Sequence, residues 1–240
     1  MNEGDSVVEY YNLQKRVYEE ELPELPEKGS QNNTSPPKTF TLHKYDLEGL
    51  AKYGYVFQEG EEVIISEKLE GENYTMIYAE DQLWCKSRNY FKKNDPDSHW
   101  WEIPRRMNLE EKLKDYPGLA IVGELYGNVK GWHYDVPIID NRFQRKFRVF
   151  DIWDIKFKRF MEWSDVEKIC AEIGLETVPV LYKGPWKTDR SLHCLAEGKS
   201  TIGNCVREGF VMRSVPESWH EKLGRKIIKL KGRDYKLAKG

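Results

Sequence analysis

From Leu22 to Lys38 the chain reads LPELPEKGSQNNTSPPK, and this stretch fixes where a folded body can begin. Proline lacks the amide proton that helices and central strands need, and glycine, serine and asparagine favour turns, so no regular element runs through it. The weak helical pattern from Val8 to Glu21 is thereby separated from everything downstream. Residues 1–38 read as an N-terminal extension and linker, and residues 39–240 as one folded domain. A body of that size can bury a substantial core.

Beyond Phe40 the apolar runs are short and bounded by turn residues, the pattern of strands. Val63-Ile64-Ile65 is one such run, and Tyr74 to Tyr78 with Leu83 to Cys85 reads as a hairpin around Ala79-Glu80-Asp81-Gln82. Leu119 to Val122, the region of Phe147 and Val149, Thr177 to Tyr182, Gly209 to Val215 and Lys226 to Lys231 are further strand-like segments. Tyr45 to Tyr53 reads as a short helix or turn, and Lys68 is expected between strands. Asn108 is placed to cap a helix from Leu109 to Lys114, and Ser164 with Glu167 forms a capping box for a second helix that Gly174 should end. The expectation is an α+β fold with mostly antiparallel pairing and no internal repeat.

No apolar run approaches the roughly 20 residues needed to cross a bilayer, and the N-terminus lacks the basic start and apolar stretch of a signal peptide. A soluble, intracellular monomer that does not engage membranes is expected. Cys85, Cys170, Cys194 and Cys205 are scattered without a CxxC pair and read as reduced thiols. The net charge of −2 offers no global attraction to nucleic acid. Charge is nonetheless uneven: Glu19, Glu20, Glu21, Glu24 and Glu27 cluster early, and Lys222 to Lys239 is rich in lysine and arginine.

A set of short motifs follows in order: Glu67-Lys68-Leu69-Glu70-Gly71-Glu72-Asn73, Ser87-Arg88-Asn89, Val122-Gly123-Glu124-Leu125, Phe150-Asp151, Glu208-Gly209-Phe210-Val211 and Lys229-Leu230-Lys231. Each is weak alone. In this order, from about Phe40 to Lys236, they resemble the covalent nucleotidyltransferase superfamily of ligases and capping enzymes, and within it the T4 RNA ligase 2-like branch. The resemblance implies an ATP-grasp-like nucleotidyltransferase domain with antiparallel sheets flanking a nucleotide pocket. It also implies an ATP-dependent RNA ligase, which forms a covalent lysyl-AMP, passes AMP to an RNA 5′-phosphate and joins that end to a 3′-hydroxyl. Lys68 takes the place of the nucleophile, with Glu67 and Asn73 helping to build the pocket. Arg88 and Glu124 are expected at the sugar and nearby phosphate, and Phe150 against the adenine with Asp151 supporting that wall. Glu208 matches the carboxylate that acts on a divalent metal, Mg2+ or Mn2+, through water, with Phe210 packed beside it. Lys229 and Lys231 match the pair that holds the α-phosphate. Glu70 departs from the pattern, which usually carries Asp or His there, and this bears on strand binding around the lysine.

Elementary chemistry asks for the same residue types. A lysine attacks only as the neutral amine, and its ordinary pKa of about 10.4 leaves little of that form at neutral pH. Lys229, Lys231 and a metal would add positive charge near it and stabilise charge growing on the α-phosphate. On a strand, Lys229 and Lys231 share one face while Leu230 takes the other. Asp95, Asp97 and His99, beside Trp100 and Trp101, read as a loop over the site, His133 as structural, and Arg142, Arg145, Lys146 and Arg148 as candidate RNA-phosphate contacts.

The rival readings are a GTP-dependent capping guanylyltransferase and a non-catalytic RNA-binding module of the same fold. The first is disfavoured by the SRN, VGEL and EGFV segments and by the lack of room after Lys231 for a further domain, the second by the intact Lys68, Glu208, Lys229 and Lys231. Strong lysyl-AMP formation with weak, salt-sensitive sealing is expected.

Overall fold

An apolar run without alternation must be covered on both faces, and the chain has two such strands in succession. Glu62–Lys68 is buried at five consecutive positions, Val63 to Glu67, and Glu72–Ala79 at Thr75, Met76 and Ile77 as well as Tyr74. In the computed structural model these two strands lie in different sheets, and only the Leu69-Glu70-Gly71 turn joins them. The structure describes residues 32–38, 40, 45–129, 132–139 and 142–239. The helical pattern of Val8 to Glu21 and the side chains of His133 and Arg142 lie outside the described residues.

The main elements are β1 (Asn33–Thr34), β2 (Glu48–Gly49), α1 (Leu50–Tyr53), β3 (Glu62–Lys68), β4 (Glu72–Ala79), β5 (Gln82–Ser87), β6 (Phe91–Lys92), α2 (Glu102–Met107), α3 (Leu109–Leu113), β7 (Leu119–Tyr126), β8 (Lys146–Asp154), β9 (Arg159–Phe160), α4 (Trp163–Ile173), β10 (Glu176–Thr177), β11 (Val180–Pro185), β12 (Gly209–Ser214), β13 (Ile227–Lys231) and α5 (Arg233–Lys239). The larger sheet runs β1-β6-β5-β4-β7-β8-β9, with β10 paired in parallel to β8. The smaller runs β11-β3-β12-β13-β2, antiparallel except for β2 against β13. Lys68 is the last residue of β3 rather than a loop residue.

Helix α4 buries Trp163, Val166, Ile169, Cys170 and Ile173, one stripe at helical spacing, against the larger sheet. Gly174 ends it in the left-handed conformation, φ 74°. The capping box does not form. The helix starts at Trp163, which is drawn into the core, so Ser164 lies inside the first turn and Glu167 pairs with Lys183 at 2.9 Å. Asn108 likewise makes no side-chain cap: at φ 51° it links α2 directly to α3. The smaller sheet has its own core of Leu50, Phe57, Val63, Ile65, Phe210, Met212 and Ile228. Asn33–Thr34, within the segment read as linker, adds an edge strand opposite Phe91–Lys92. Among the described residues no helix is long and apolar enough to cross a membrane.

Candidate active site

Where the two sheets meet they leave a cavity of about 580 Å³, lined from the smaller sheet by Lys68, Glu208, Val211, Lys229 and Lys231 and from the larger by Asn73, Arg88, Glu124 and Phe150. Register explains the first group. Gly209 faces Lys68 on one neighbour and Lys231 on the other, and Val211 faces Ser66 and Lys229, so these positions share one face of the sheet. Phe210, opposite Glu67 and Leu230, belongs to the other face and is fully buried in the core. Gly209 is obligatory here, because a Cβ would lie 1.9 Å from the Leu230 carbonyl oxygen at φ 148°.

Glu208 immediately precedes that glycine and is 1% exposed. Its Oε2 accepts from Lys68 Nζ at 2.7 Å and its Oε1 pairs with Lys231 Nζ at 2.9 Å. One buried carboxylate thus joins the lysine of the first motif to a lysine of the last. Burial pushes the Lys229 pKa below its ordinary value, and the charges of Lys68 and Lys231 push it the same way. The Lys68 turn is pinned from behind: a Cβ on Gly71 would lie 2.3 Å from the Leu125 carbonyl oxygen, so only glycine lets the turn sit against β7. Asn73 and Glu124 are cross-strand neighbours on the opposite wall.

Phe150 reaches the cavity through a bulge. The pairing of β8 with β7 shifts between Val149 and Asp151, leaving Phe150 as the extra residue and turning its ring out of the sheet. Tyr45 packs against it with ring centroids 4.8 Å apart and planes tilted by 42°, and donates its hydroxyl to Asp151 Oδ2 at 2.6 Å. Asp151 is fully buried behind that wall, where it accepts from Arg213 at 3.2 Å and from Arg225 at 2.6 and 2.9 Å. Burial alone would raise its pKa, but the two guanidiniums outweigh it and hold the carboxyl below its ordinary range. Arg213 also donates to the Phe150 carbonyl at 2.7 Å.

Not every candidate faces the cavity with its side chain. The Glu67 carboxylate points to the far face, where it accepts from Ser200 Oγ at 2.5 Å and from the Thr201 amide at 2.9 Å. Asp151 and Phe210 support the walls from outside the lining. Arg88 lines the cavity with its guanidinium on Asp46. Arg148 is committed to Glu176 at 3.1 Å and to the Thr177 carbonyl at 2.8 Å, so it braces β10 instead of standing open to phosphates. Burial, aided by Arg145 and Lys92, pushes His99 down to about 4, so its 3.8 Å approach to Glu72 is no ion pair at neutral pH. The sequence reading missed Tyr45, Asp46, Val211 and Lys239 as lining residues. Tyr45 and Asp46 arrive through the parallel pairing of Glu48–Gly49 with Ile228–Lys229, for which no local pattern exists.

A carboxylate beside a place for phosphate oxygens suits a hard divalent cation, which keeps several waters and needs few protein ligands. Glu208 is the residue that would hold it. Among the described residues no group of three or more His, Cys, Asp and Glu forms a separate metal cage.

Two sheets, a lysine at their junction and cations opposite it define a nucleotidyltransferase-like fold. The family model described as RNA ligase matches residues 61–231, and the chain belongs to that family. An RNA ligase of Naegleria gruberi, solved as a mutant with AMP and Mn, superposes with a TM-score of 0.69 at 20% identity, covering 88% of this chain and 60% of that one. The same ligase with PPi gives a TM-score of 0.69 at 20% identity over 88% of this chain and 63% of that chain. A curated relative, Protein Early 65 kDa of Autographa californica nuclear polyhedrosis virus, is 22% identical over 205 residues, 71% of this chain and 35% of that protein. The chain therefore spans about a third of the viral relative.

Proposed function

We propose that the chain is the nucleotidyltransferase unit of an ATP-dependent RNA ligase, with Lys68 as the residue that carries AMP. The observation that carries this reading is the placement of Lys68 and Lys231 on the two oxygens of buried Glu208, with Lys229 on the same strand face. The bulged Phe150 and Val211 line the space for the adenine, Asn73, Arg88 and Glu124 lie at the place of the sugar, and Lys229 and Lys231 face the α-phosphate. The Naegleria ligase, whose structures contain AMP, ATP and Mn, supports the choice of ATP and a divalent cation. A metal held by Glu208, Mg2+ or Mn2+, would supply charge stabilisation at the α-phosphate.

In the first step the Lys68 amine bonds to the α-phosphorus and the bond to the β-phosphate oxygen breaks, releasing pyrophosphate. Glu208 Oε2, 2.7 Å from Nζ, stands where the departing proton can be held. An RNA 5′-phosphate oxygen then attacks the same phosphorus, and the lysine leaves as the amine. Finally the 3′-hydroxyl attacks the 5′-phosphorus and AMP departs, leaving a phosphodiester. The residues named here stabilise charge and fix position, which supply much of the acceleration in phosphoryl transfer.

Intact mass after incubation with ATP and Mg2+ should show one added AMP, none with GTP, and none after chelation. Lys68→Ala should lose the adduct entirely while remaining folded, with a lowered melting temperature because buried Glu208 then loses the cation on Oε2 and keeps Lys231 on Oε1; Lys68→Arg, which keeps the charge, should lose the adduct with less change in stability. Full labelling of Lys68→Ala would overturn the reading.

A further inference from the structure

Among the described residues that line the cavity, Lys239 is a cation with no part in the lysyl-AMP steps. Lys239, the last residue of α5, lines the wall beside the Lys68 turn and pairs with Glu70 Oε1. Its Nζ also donates to the Tyr235 hydroxyl at 2.8 Å, one helical turn back, and Tyr235 itself donates to Glu70 Oε2. Burial pushes the Glu70 carboxyl up, but the bonds from Lys239 and Tyr235 and the charges of Lys239 and Lys68 outweigh it and hold Glu70 ionised. The pair is lopsided: the Lys239 side chain is 41% exposed, that of Glu70 9%. Glu70 is fixed further by its amide donating to Tyr134 Oη at 2.8 Å.

Resting on the lysyl-AMP reading, we propose that Lys239 is parked on Glu70 and transfers to a phosphate group lying beyond the α-phosphate, making Glu70, Tyr235 and Lys239 a second phosphate subsite. In-line displacement puts the departing pyrophosphate and the incoming RNA 5′-phosphate on the same side of the α-phosphorus, so one subsite serves both. Each carries more negative charge than the α-phosphate that Lys229 and Lys231 face. When Lys239 swings away, Glu70 keeps the bond from the Tyr235 hydroxyl, so the buried carboxylate still has a donor. The Tyr235 ring, with Lys231 Nζ 5.3 Å from its centroid and Trp132 at 5.1 Å, is held in place throughout.

Titration calorimetry with inorganic pyrophosphate, and separately with AMP, tests this on the wild type, Lys239→Ala, Lys239→Arg and Tyr235→Phe, alongside the rate at which pre-formed lysyl-AMP is consumed by pyrophosphate or by 5′-phosphate RNA. Lys239→Ala should weaken pyrophosphate binding about tenfold, the usual size for one charge-assisted hydrogen bond, with AMP affinity within about twofold; Lys239→Arg should recover most of the loss. Loss with pyrophosphate alone assigns the subsite to the nucleotide's terminal phosphates, loss with RNA alone to the RNA end, and either supports it. Equal losses for AMP and pyrophosphate together with a lowered melting temperature, or no loss at all, overturn it in favour of a purely structural latch. Absence of any AMP adduct on the wild type would instead count against the ligase reading, while the pyrophosphate titration would still decide for or against the subsite.

Discussion

His99, beside the cavity-lining Glu72 and Trp100, shows how one side chain sets a solution property. Burial with Arg145 and Lys92 nearby moves its pKa from 6.5 to about 4, so the folded protein keeps it neutral where the unfolded chain takes up a proton. Between pH 6.5 and about 4 the unfolded state therefore binds more protons, and stability falls as pH falls across that window. The side chain is 43% exposed, so solvent screens the effect and a modest slope is expected. Melting curves of His99→Gln should fall off less than those of the wild type between pH 7 and 4.5; identical slopes would mean that His99 titrates normally. Below pH 4 a second decline belongs to Asp151 and Glu70, whose pKa values are held down and whose contribution is lost on protonation.

The bulge in β8 divides two jobs between adjacent residues, Phe150 facing the cavity and Asp151 facing two buried arginines. Arg213 is 1% exposed and Arg225 8%, so removing their shared carboxylate leaves two buried guanidiniums with Glu217 alone to balance them. Urea unfolding of Asp151→Ala should show a loss of about 3–5 kcal/mol, the range for breaking a buried pair from one side, with Asp151→Asn intermediate. A loss below about 1 kcal/mol would place the arginines in water instead. The long strands were legible in the sequence because Val63 to Ile65, Tyr74 to Tyr78 and Leu119 to Val122 are apolar enough to demand cover, and Lys229 and Lys231 because alternation on a strand is a local rule. The helix starts were not, since core burial of Trp163 overrode the Ser164 and Glu167 signal. Nor were β1 and β2, two residues each, whose existence depends on strands far along the chain. Tyr45 and Lys239 entered the site by the same non-local route.

Taken whole, the molecule is almost neutral, with a net charge of −2, and its rim cations are partly spoken for. Arg105 is bound to Asn94 at 2.6 Å, Arg106 to Glu102 at 2.6 Å and Lys92 to Asn33 at 3.0 Å, so Lys93, the exposed Lys146 and Lys239 are the main candidates for RNA phosphates. Each phosphate neutralised on a single strand adds about 0.7 to the slope of log affinity against log salt, so three contacts predict roughly a twentyfold loss for a fourfold rise in salt. Sealing of pre-adenylylated RNA by this chain should follow that slope while formation of lysyl-AMP stays nearly flat; salt-independent sealing would show that RNA is held by uncharged contacts. The parallel seam between Glu48–Gly49 and Ile228–Lys229 has a bearing on biosynthesis. Every described strand of the larger sheet has been synthesised once Thr177 is made, whereas the smaller sheet waits for strands from both ends of the domain. A nascent chain can therefore settle half of its architecture early, yet the lysine pocket comes into being only once Glu208 to Lys231 have followed, an ordering in which slow long-range pairing sets the pace.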